Sequence, residues 1–250
     1  MSRPKLGQHF LVRGSVLERI ARAACSLHEP LVIEIGPGRG ALTRHLLAHA
    51  DRVVAIEIDP DLARKLALKY SQETRLTVVK ADALSADLTA WGPGAIAGNL
   101  PYYAATPILE RAVASPAMRR GVFLVQKEVA ERIVAQPGTR AYGYLSVAMQ
   151  LSAEIEMLFA VKPAAFHPPP KVDSAVLRFL PRDRAAELGI ADRAHFLRFV
   201  SLCFRQKRKT IRNNLAAQYG SAIADWPEVS MRAEQIGVPM FAAMYRRLVT

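Results

Sequence analysis

The sequence predicts an α/β protein with a Rossmann-like, mostly parallel sheet, followed by a small all-helical C-terminal domain. Three observations lead to this fold class. Short apolar runs alternate with helical patterns through residues 1–180, a glycine-rich stretch joins one of the first runs to a helix, and strand patterns stop at Pro181. Alternating strands and helices are typical of a parallel sheet covered by helices on both faces.

The elements follow from hydrophobic periodicity and from helix start signals such as Asp59 before Pro60. The predicted strands are 31–35, 52–58, 76–80, 95–97, 121–126, 155–161 and 174–180, and the predicted helices between or before them are 16–24, 41–50, 60–70, 106–114, 128–135 and 144–151. Beyond Pro181 the predicted helices are 194–204, 207–218, 232–236 and 240–248. We therefore expect one domain over residues 1–180 and a second over 181–250.

The charge balance indicates a polyanionic partner. The chain has 250 residues, and its 34 Lys and Arg against 22 Asp and Glu give a net charge of +12. Such a surface attracts nucleic acid first and anionic membranes second. A protein that is basic without any functional reason is the alternative at this point.

Cysteine and histidine usage argues against a disulfide framework or a metal site, because Cys25 and Cys203 lie far apart and the six histidines are scattered. No apolar run approaches the ~20 residues that span a bilayer, and the first residues lack the apolar core of a signal peptide. We expect a cytoplasmic protein without a metal or a membrane partner.

The stretch Gly36–Gly40, which reads Gly-Pro-Gly-Arg-Gly, lies between a strand and a helix, as in nucleotide-binding units. Its spacing departs from the dinucleotide fingerprint, so it does not identify one nucleotide. Glu57 and Asp82 end the next two strands, where carboxylates can accept hydrogen bonds from ribose hydroxyls and from an adenine amine. Capping or surface solvation is the alternative role for both acids.

The stretch Gly98–Tyr103 follows the apolar run at 95–97 and carries an amide, a proline-restricted turn and two aromatic rings. Asn99 can donate to and accept from a base that bears an exocyclic amine, and Tyr102 offers a face for stacking. Ligands of open α/β sheets bind at the carboxyl ends of the strands. A plain strand end with two half-buried tyrosines is the alternative.

Together these motifs resemble the S-adenosylmethionine-dependent ribosomal RNA adenine N6,N6-dimethyltransferases, and within them the bacterial small-subunit branch. Further stretches match at residues 7–11, 126–132, 166–174 and 208–215, so the resemblance covers about residues 5–215. The C-terminal segment around 237–245 matches this family only loosely. The resemblance therefore implies the chemistry more firmly than it implies which RNA is the substrate.

The resemblance implies S-adenosylmethionine as cofactor and a role for each matching residue. The implied cofactor-binding residues are His9, Leu11, Gly36, Gly38, Glu57, Asp82 and Asn99, and the implied catalytic residues are Asn99, Leu100, Tyr102 and Phe166. Asn99 and a carbonyl near Leu100 would accept from the target amine, while Tyr102 and Phe166 would stack on the base. The alternative for Phe166 is an aromatic residue that packs in the core.

The densest basic run is 205–212, and it supplies the candidate RNA contacts Arg205, Lys207, Arg208 and Arg212. Such a run is most often a solvated helix face. In a protein that binds a base, it is expected to bind RNA phosphates, which position a substrate without specifying its sequence.

The implied function is dimethylation of the N6 amino groups of two adjacent adenosines near the 3′ end of small-subunit ribosomal RNA, in an immature 30S subunit, by a monomeric enzyme. Three alternatives stay open: a large-subunit RNA adenine methyltransferase that confers antibiotic resistance, a non-catalytic ribosome-assembly factor, and a nicotinamide oxidoreductase. Leu100 and the prolines after Phe166 favour the small-subunit branch over the resistance branch.

Overall fold

The structure is a computed structural model that describes residues 9–25 and 29–249. It divides into two compact units. The first contains the described residues up to Ala130 together with Glu156–Pro181, and the second contains Glu131–Ile155 together with the described residues from Arg182 onward.

The secondary structure alternates between strands and helices up to Pro181 and is mainly helical after it. The strands are β1 (Phe10–Leu11), β2 (Val32–Ile35), β3 (Val53–Glu57), β4 (Leu76–Lys80), β5 (Gly94–Asn99), β6 (Met118–Gln126), β7 (Ala153–Val161), β8 (Phe166–His167) and β9 (Ser174–Pro181). The helices are α1 (Gly14–Cys25), α2 (Ala41–Leu46), α3 (Pro60–Lys69), α4 (Ala105–Ala114), α5 (Lys127–Val134), α6 (Tyr144–Gln150), α7 (Arg184–Glu187), α8 (Arg193–Cys203), α9 (Ile211–Tyr219) and α10 (Val238–Val249). Short 3-10 turns lie at Pro163–Ala165, Gly220–Ile223, Pro227–Ser230 and Ala233–Gln235.

Seven strands form one sheet in the order β4-β3-β2-β5-β6-β9-β7. The pairs β3/β4, β2/β3, β2/β5 and β5/β6 are parallel, and β9 runs antiparallel to β6. The predicted Rossmann-like, mostly parallel sheet is thus confirmed. Because β2 lies between β3 and β5, the strand order reverses beside it, and a crevice opens at the carboxyl ends of these strands.

The core of the first unit covers both faces of the sheet. Val32, Ala95 and Val122 pack in a buried cluster with residues of α1 and α2. The alternate positions Ile33 and Ile96 are also fully buried. Strands that are buried on both faces read as continuous apolar runs, which is why these strands are recognisable in the sequence.

The second unit has its own apolar core, in which aromatic side chains of α8 and α10 such as Phe199 and Phe241 are fully buried. Tyr142, Val147 and Leu151 belong to the same core. This explains why residues 131–155 group with the C-terminal residues, whereas the sequence predicted a single boundary near residue 181.

Three predicted helices differ from the observed ones. The helix predicted over 207–218 begins at Ile211, because Thr210 caps it and the preceding residues form a turn. The helix predicted over 41–50 ends at Leu46, and the one predicted over 232–236 is a 3-10 turn at Ala233–Gln235. Among the residues that the structure describes, no helix is both long and apolar enough to cross a membrane.

Candidate functional site

A cavity of about 240 Å³ opens at the carboxyl ends of β2 to β5 in the first unit. Its wall contains most of the residues that the sequence singled out. They are His9, Leu11, Gly36, Gly38, Glu57, Asp82, Asn99, Leu100 and Tyr102. Parallel strands end at the same edge of a sheet, and this brings residues from distant parts of the chain together.

The glycine loop after β2 forms one wall of the cavity, and its backbone requires glycine. Gly38 has φ +57°, and a Cβ atom there would lie 3.0 Å from the Phe10 ring. The Arg39 guanidinium lies on that ring, 4.6 Å from its centre. Phe10 therefore covers the loop, and a side chain at position 38 would be strained by the positive φ and would require the Phe10 ring to shift.

Glu57 is held at the end of β3 by two backbone amides. Its carboxylate accepts hydrogen bonds from the amides of Gly38 and Asp59, each at 3.0 Å. Burial raises the pKa of Glu57, and these two hydrogen bonds oppose that rise. The carboxylate thereby links the glycine loop to β3 while one side of it lines the cavity.

Glu34, in the middle of the apolar strand β2, was missed at the sequence level. Its side chain is buried, lines the cavity and accepts a hydrogen bond from the Thr43 hydroxyl at 2.6 Å. Burial raises the pKa of Glu34 to about 8, and the neighbouring negative charge of Glu57 contributes to the rise. The signal was present in the sequence, since an acidic residue inside a buried strand is costly unless it is paired or functional.

Asp82 lies past the end of β4 and is exposed. Its Oδ1 atom accepts a hydrogen bond from the Leu84 amide at 2.9 Å, so it stabilises the local turn as well as lining the cavity. A carboxylate has acceptor capacity for further hydrogen bonds. The capping and ligand-binding roles are compatible.

The Asn99 amide is oriented by a segment far away in the sequence. Its Nδ2 atom donates a hydrogen bond to the carbonyl oxygen of His9 at 3.1 Å. Because a carbonyl oxygen only accepts, the amide must turn its nitrogen to His9 and present its Oδ1 atom elsewhere. Asn99 thus becomes a directed acceptor at the end of β5.

Tyr102 is fixed by a hydrogen bond that the sequence did not indicate. Its hydroxyl lies 2.7 Å from the Ser174 hydroxyl oxygen, at the start of β9. The ring of Tyr102 lies 5.6 Å from that of His9, between centroids, and is tilted by 33° to it. The His9 ring donates from Nδ1 to the carbonyl oxygen of Pro168 at 2.8 Å. Ser174 and Pro168 therefore position the two rings.

The structure does not bring Phe166 to the cavity. Its side chain is 4% exposed and packs in the core with Leu11 and Val176, whereas His167 lines the cavity. In the short ladder of β1 with β8, Phe166 pairs with Leu11 and His167 with Phe10. Successive side chains of a strand point to opposite sides, so only one of Phe166 and His167 faces the cavity. The stacking role of Phe166 stays a prediction.

The four candidate RNA contacts lie in the second unit and are all exposed. Three of them, Arg205, Lys207 and Arg208, lie in the turn between α8 and α9, and Arg212 lies in the first turn of α9. The predicted helix face is therefore wrong for most of the run. The Lys207 ammonium donates a hydrogen bond to the carbonyl oxygen of Arg140, and the side chains of Arg205, Arg208 and Arg212 are exposed to solvent.

Asn214, which the sequence reasoning passed over, holds this basic turn in shape. Its side chain is buried, and its Oδ1 atom accepts a hydrogen bond from the Gln206 amide at 3.0 Å. Its Nδ2 atom donates to the carbonyl oxygens of Cys203 at 2.8 Å and Gln206 at 3.2 Å. One buried amide thus replaces the helical hydrogen bonds that the turn lacks.

Over residues 9–25 and 29–249, no group of three or more His, Cys, Asp or Glu side chains is arranged to hold a metal ion. Cys25 and Cys203 are both buried free thiols.

Replacement of Glu34 by Gln is expected to change how stability depends on pH. Since the pKa of Glu34 is about 8 in the folded protein against 4.5 ordinarily, unfolding releases a proton between these values, and the free energy of unfolding falls as pH rises. E34Q removes this loss. In urea denaturation series, the stability of the variant relative to the natural protein should grow from about pH 5 to 8 and then level off.

Glu73→Gln is the control, because the hydrogen bond from Arg75 lowers the pKa of the Glu73 carboxyl. This partly exposed group is therefore ionised in the folded and in the unfolded protein over most of this pH range. An E34Q difference that is constant over the same pH range would show that Glu34 is ionised in the folded protein.

Comparison with known proteins finds a family match and near full-length relatives. The sequence profile of the ribosomal RNA adenine dimethylase family matches residues 1–246. A protein of Acidobacterium capsulatum named ribosomal RNA small subunit methyltransferase A is 42% identical over 258 aligned positions, which cover 98% of this chain and 91% of that protein. The protein of the same name from Bordetella bronchiseptica is 43% identical, with 97% and 92% covered.

Solved structures show the same fold. A dimethyladenosine transferase from Plasmodium falciparum superposes with a TM-score of 0.79 at 23% identity, covering 96% of this chain and 98% of that one. The 23S rRNA methyltransferase ErmE superposes with a TM-score of 0.71 at 28% identity, covering 96% and 100%. With its profile match and these near full-length relatives, the chain belongs to the ribosomal RNA adenine dimethylase family.

Proposed function

We propose that this enzyme dimethylates the N6 amino groups of two adjacent adenosines near the 3′ end of small-subunit ribosomal RNA, with S-adenosylmethionine as methyl donor. The observation that carries the proposal is the Asn99 amide, which His9 orients as an acceptor next to Tyr102 in an acidic cavity. Near full-length relatives that are named as small-subunit methyltransferases support the choice of RNA.

The cavity residues fit S-adenosylmethionine chemically. Glu34, Glu57 and Asp82 all line the cavity, and carboxyl groups suit a ligand with a sulfonium, an ammonium, ribose hydroxyls and an adenine amine. In this assignment Gly36 would approach the methionine part, Glu57 would accept from the ribose hydroxyls and Asp82 would accept from the adenine amine. His9 and Leu11 also line the cavity and would contact the cofactor, which would supply an electrophilic methyl group.

Asn99 prepares the target nitrogen for attack. The lone pair of an adenine N6 is delocalised into the ring, which makes the amine a poor nucleophile. Acceptors on its two hydrogens, namely Asn99 Oδ1 and a backbone carbonyl near Leu100, favour a pyramidal nitrogen with an available lone pair. Holding such a nitrogen in line with a methyl donor can contribute ~7–11 kcal/mol in favourable cases.

Tyr102 supplies the face on which the target base stacks. The Tyr102 hydroxyl is hydrogen-bonded to Ser174, and this bond holds the ring in place. The hydroxyl therefore does not need to bond the base, whose polar groups stay available to Asn99. Burial raises the pKa of Tyr102, which keeps the phenol protonated and neutral beside the base. A target base must leave its own stack to reach this position, which favours nucleotides in loops or at helix ends.

The second unit is proposed to bind RNA through its basic turn. Arg205, Lys207, Arg208 and Arg212 are exposed, and phosphate contacts of this kind strengthen binding without reading sequence. We propose that residues 181–250 form most of this RNA-binding part and that residues 1–180 contain the methyltransferase part.

We also propose that the enzyme acts as a monomer on an immature 30S subunit in the cytoplasm. It needs neither a metal nor a membrane partner.

One observation favours a second candidate, which is methylation of large-subunit RNA. The structure of ErmE, a 23S rRNA methyltransferase, covers nearly the whole chain. Its identity of 28% is lower than the 42% and 43% of the small-subunit relatives. The third candidate is a ribosome-assembly factor without catalytic activity. The oriented acceptor at Asn99 argues against it, because assembly alone does not require such a group.

The direct test is transfer of labelled methyl groups from S-adenosylmethionine to immature small subunits that lack adenine dimethylation. We expect label in dimethyladenosine near the 3′ end of the RNA, with loss of transfer in Asn99→Ala. Label in large-subunit RNA alone would contradict the choice of substrate. Cofactor binding without any transfer would contradict catalysis.

Replacement of Ser174 by Ala should lower the rate of methyl transfer more than it weakens cofactor binding, because it releases the Tyr102 ring and leaves the carboxyl groups in place. A loss of about ten-fold in kcat is expected for one positioning hydrogen bond. Single-turnover rates and calorimetric cofactor affinity measure the two effects, and Ser115→Ala provides a control away from the cavity. Equal losses in both quantities would assign Ser174 a structural role.

Replacement of Asn214 by Ala should weaken binding to immature subunits and reduce the dependence of that binding on salt, although no charge is removed. The reason is that the turn which presents Arg205, Lys207 and Arg208 loses its hydrogen bonds to the buried amide. Asn213→Ala is the matched control, since its side chain is exposed on the same helix. Unchanged affinity and salt slope in Asn214→Ala would contradict a role of the turn in RNA binding.

A further inference from the structure

Tyr103 is the most exposed large apolar side chain that lines the cavity. It is 63% exposed, and within the described part of the chain its ring and hydroxyl make no aromatic contact or hydrogen bond. The preceding Tyr102, by contrast, is half buried and fixed by Ser174. An exposed ring without a partner at the mouth of a binding cavity is a surface that a ligand can cover.

The sheet order separates Tyr103 from the part of the rim that serves the cofactor. Among the described residues, the other exposed large apolar side chains of the cavity are Val12, which follows β1, Ile58, which follows β3, and Leu84, which lies near Asp82 after β4. Tyr103 follows β5, on the other side of β2. With strands about 4.8 Å apart, the ends of β4 and β5 are separated by about 14 Å. Tyr103 therefore lies on the side of the cavity where the proposed function puts the target base, next to Asn99 and Tyr102.

The covalent structure of the substrate brings a second base to this side. A target nucleotide stacked on Tyr102 stays bonded to its neighbours in the strand, so an adjoining base must lie at the mouth of the cavity. Tyr103 is bonded to Tyr102 and lies at that mouth, in the turn before α4. Two consecutive tyrosines can thus each stack on one of two consecutive bases.

We propose that Tyr103 forms a second stacking subsite, which binds the nucleobase next to the target adenosine. This inference rests on the proposed function and adds a substrate contact to it. Stacking needs only a π-face, so the subsite accepts any base and holds the strand while the target base is turned into the cavity. For a substrate with two neighbouring adenosines, it would bind one adenosine while the other reacts.

The test compares Tyr103→Ala, Tyr103→Gln and Tyr103→Phe with the natural protein, using immature small subunits whose RNA carries 2-aminopurine beside the target adenosine. Leu68→Ala is the control, because Leu68 is 67% exposed and lies in α3 outside the cavity lining. The readouts are fluorescence quenching of 2-aminopurine, kcat/KM for methyl transfer and cofactor affinity.

We expect Tyr103→Ala and Tyr103→Gln to lose the quenching and about ten-fold in kcat/KM, the order observed when base-stacking aromatic residues are truncated. Tyr103→Phe and Leu68→Ala should retain both, and cofactor affinity should be unchanged throughout. The Phe and Gln variants decide the outcome if the alanine variant is poorly folded.

Natural quenching and kcat/KM in the Gln variant would overturn the proposal, and so would a loss of cofactor affinity, which would place Tyr103 in the cofactor site. These outcomes differ from failure of the proposed function, in which the natural protein itself transfers no methyl group to small-subunit RNA.

Discussion

The hydrogen bond from the Asn99 amide to the carbonyl oxygen of His9 is the interaction on which the arrangement of the site depends. It decides which atom of the amide faces the cavity. His9 is itself held by its ring nitrogen on the Pro168 carbonyl oxygen and by the pairing of the adjacent β1 with β8. The acceptor at the end of β5 is therefore oriented through a chain of contacts that runs across much of the first unit.

The distribution of charge differs between the protein surface, which can attract a polyanion, and the cavity, which can bind a small cationic ligand. The protein carries a net charge of +12, yet Glu34, Glu57 and Asp82 line its cavity. Long-range attraction to a polyanion comes from the exposed cations, whereas a small cationic ligand is recognised by short-range contacts with carboxyl groups. Burial raises the pKa of both Glu34 and Glu57, so a cationic ligand that favours their ionised forms gains affinity as pH rises.

Buried polar side chains that are hydrogen-bonded shape both candidate binding regions. Asn214 in the second unit and Ser174 in the first are each buried and bonded to the segment that they position. A buried polar group is costly unless it is paired, so these contacts fix one geometry of the basic turn and one of the Tyr102 ring. Tyr103, which follows directly after the fixed Tyr102, is exposed. Its free ring face can therefore bind a second base.

By itself the sequence determined the mostly parallel character of the sheet, the glycine loop and the residues at the strand ends, because these depend on local periodicity and on the rule that parallel strands end at one edge. Glu57, Asp82 and Asn99 were found in this way. The tertiary structure alone decided that Phe166 faces the core, that Ser174 bonds Tyr102 and that residues 131–155 join the second unit. The reason is physical: these features depend on contacts between residues that are distant in the chain, and local patterns do not specify which side of a strand faces a cavity or which distant group completes a hydrogen bond.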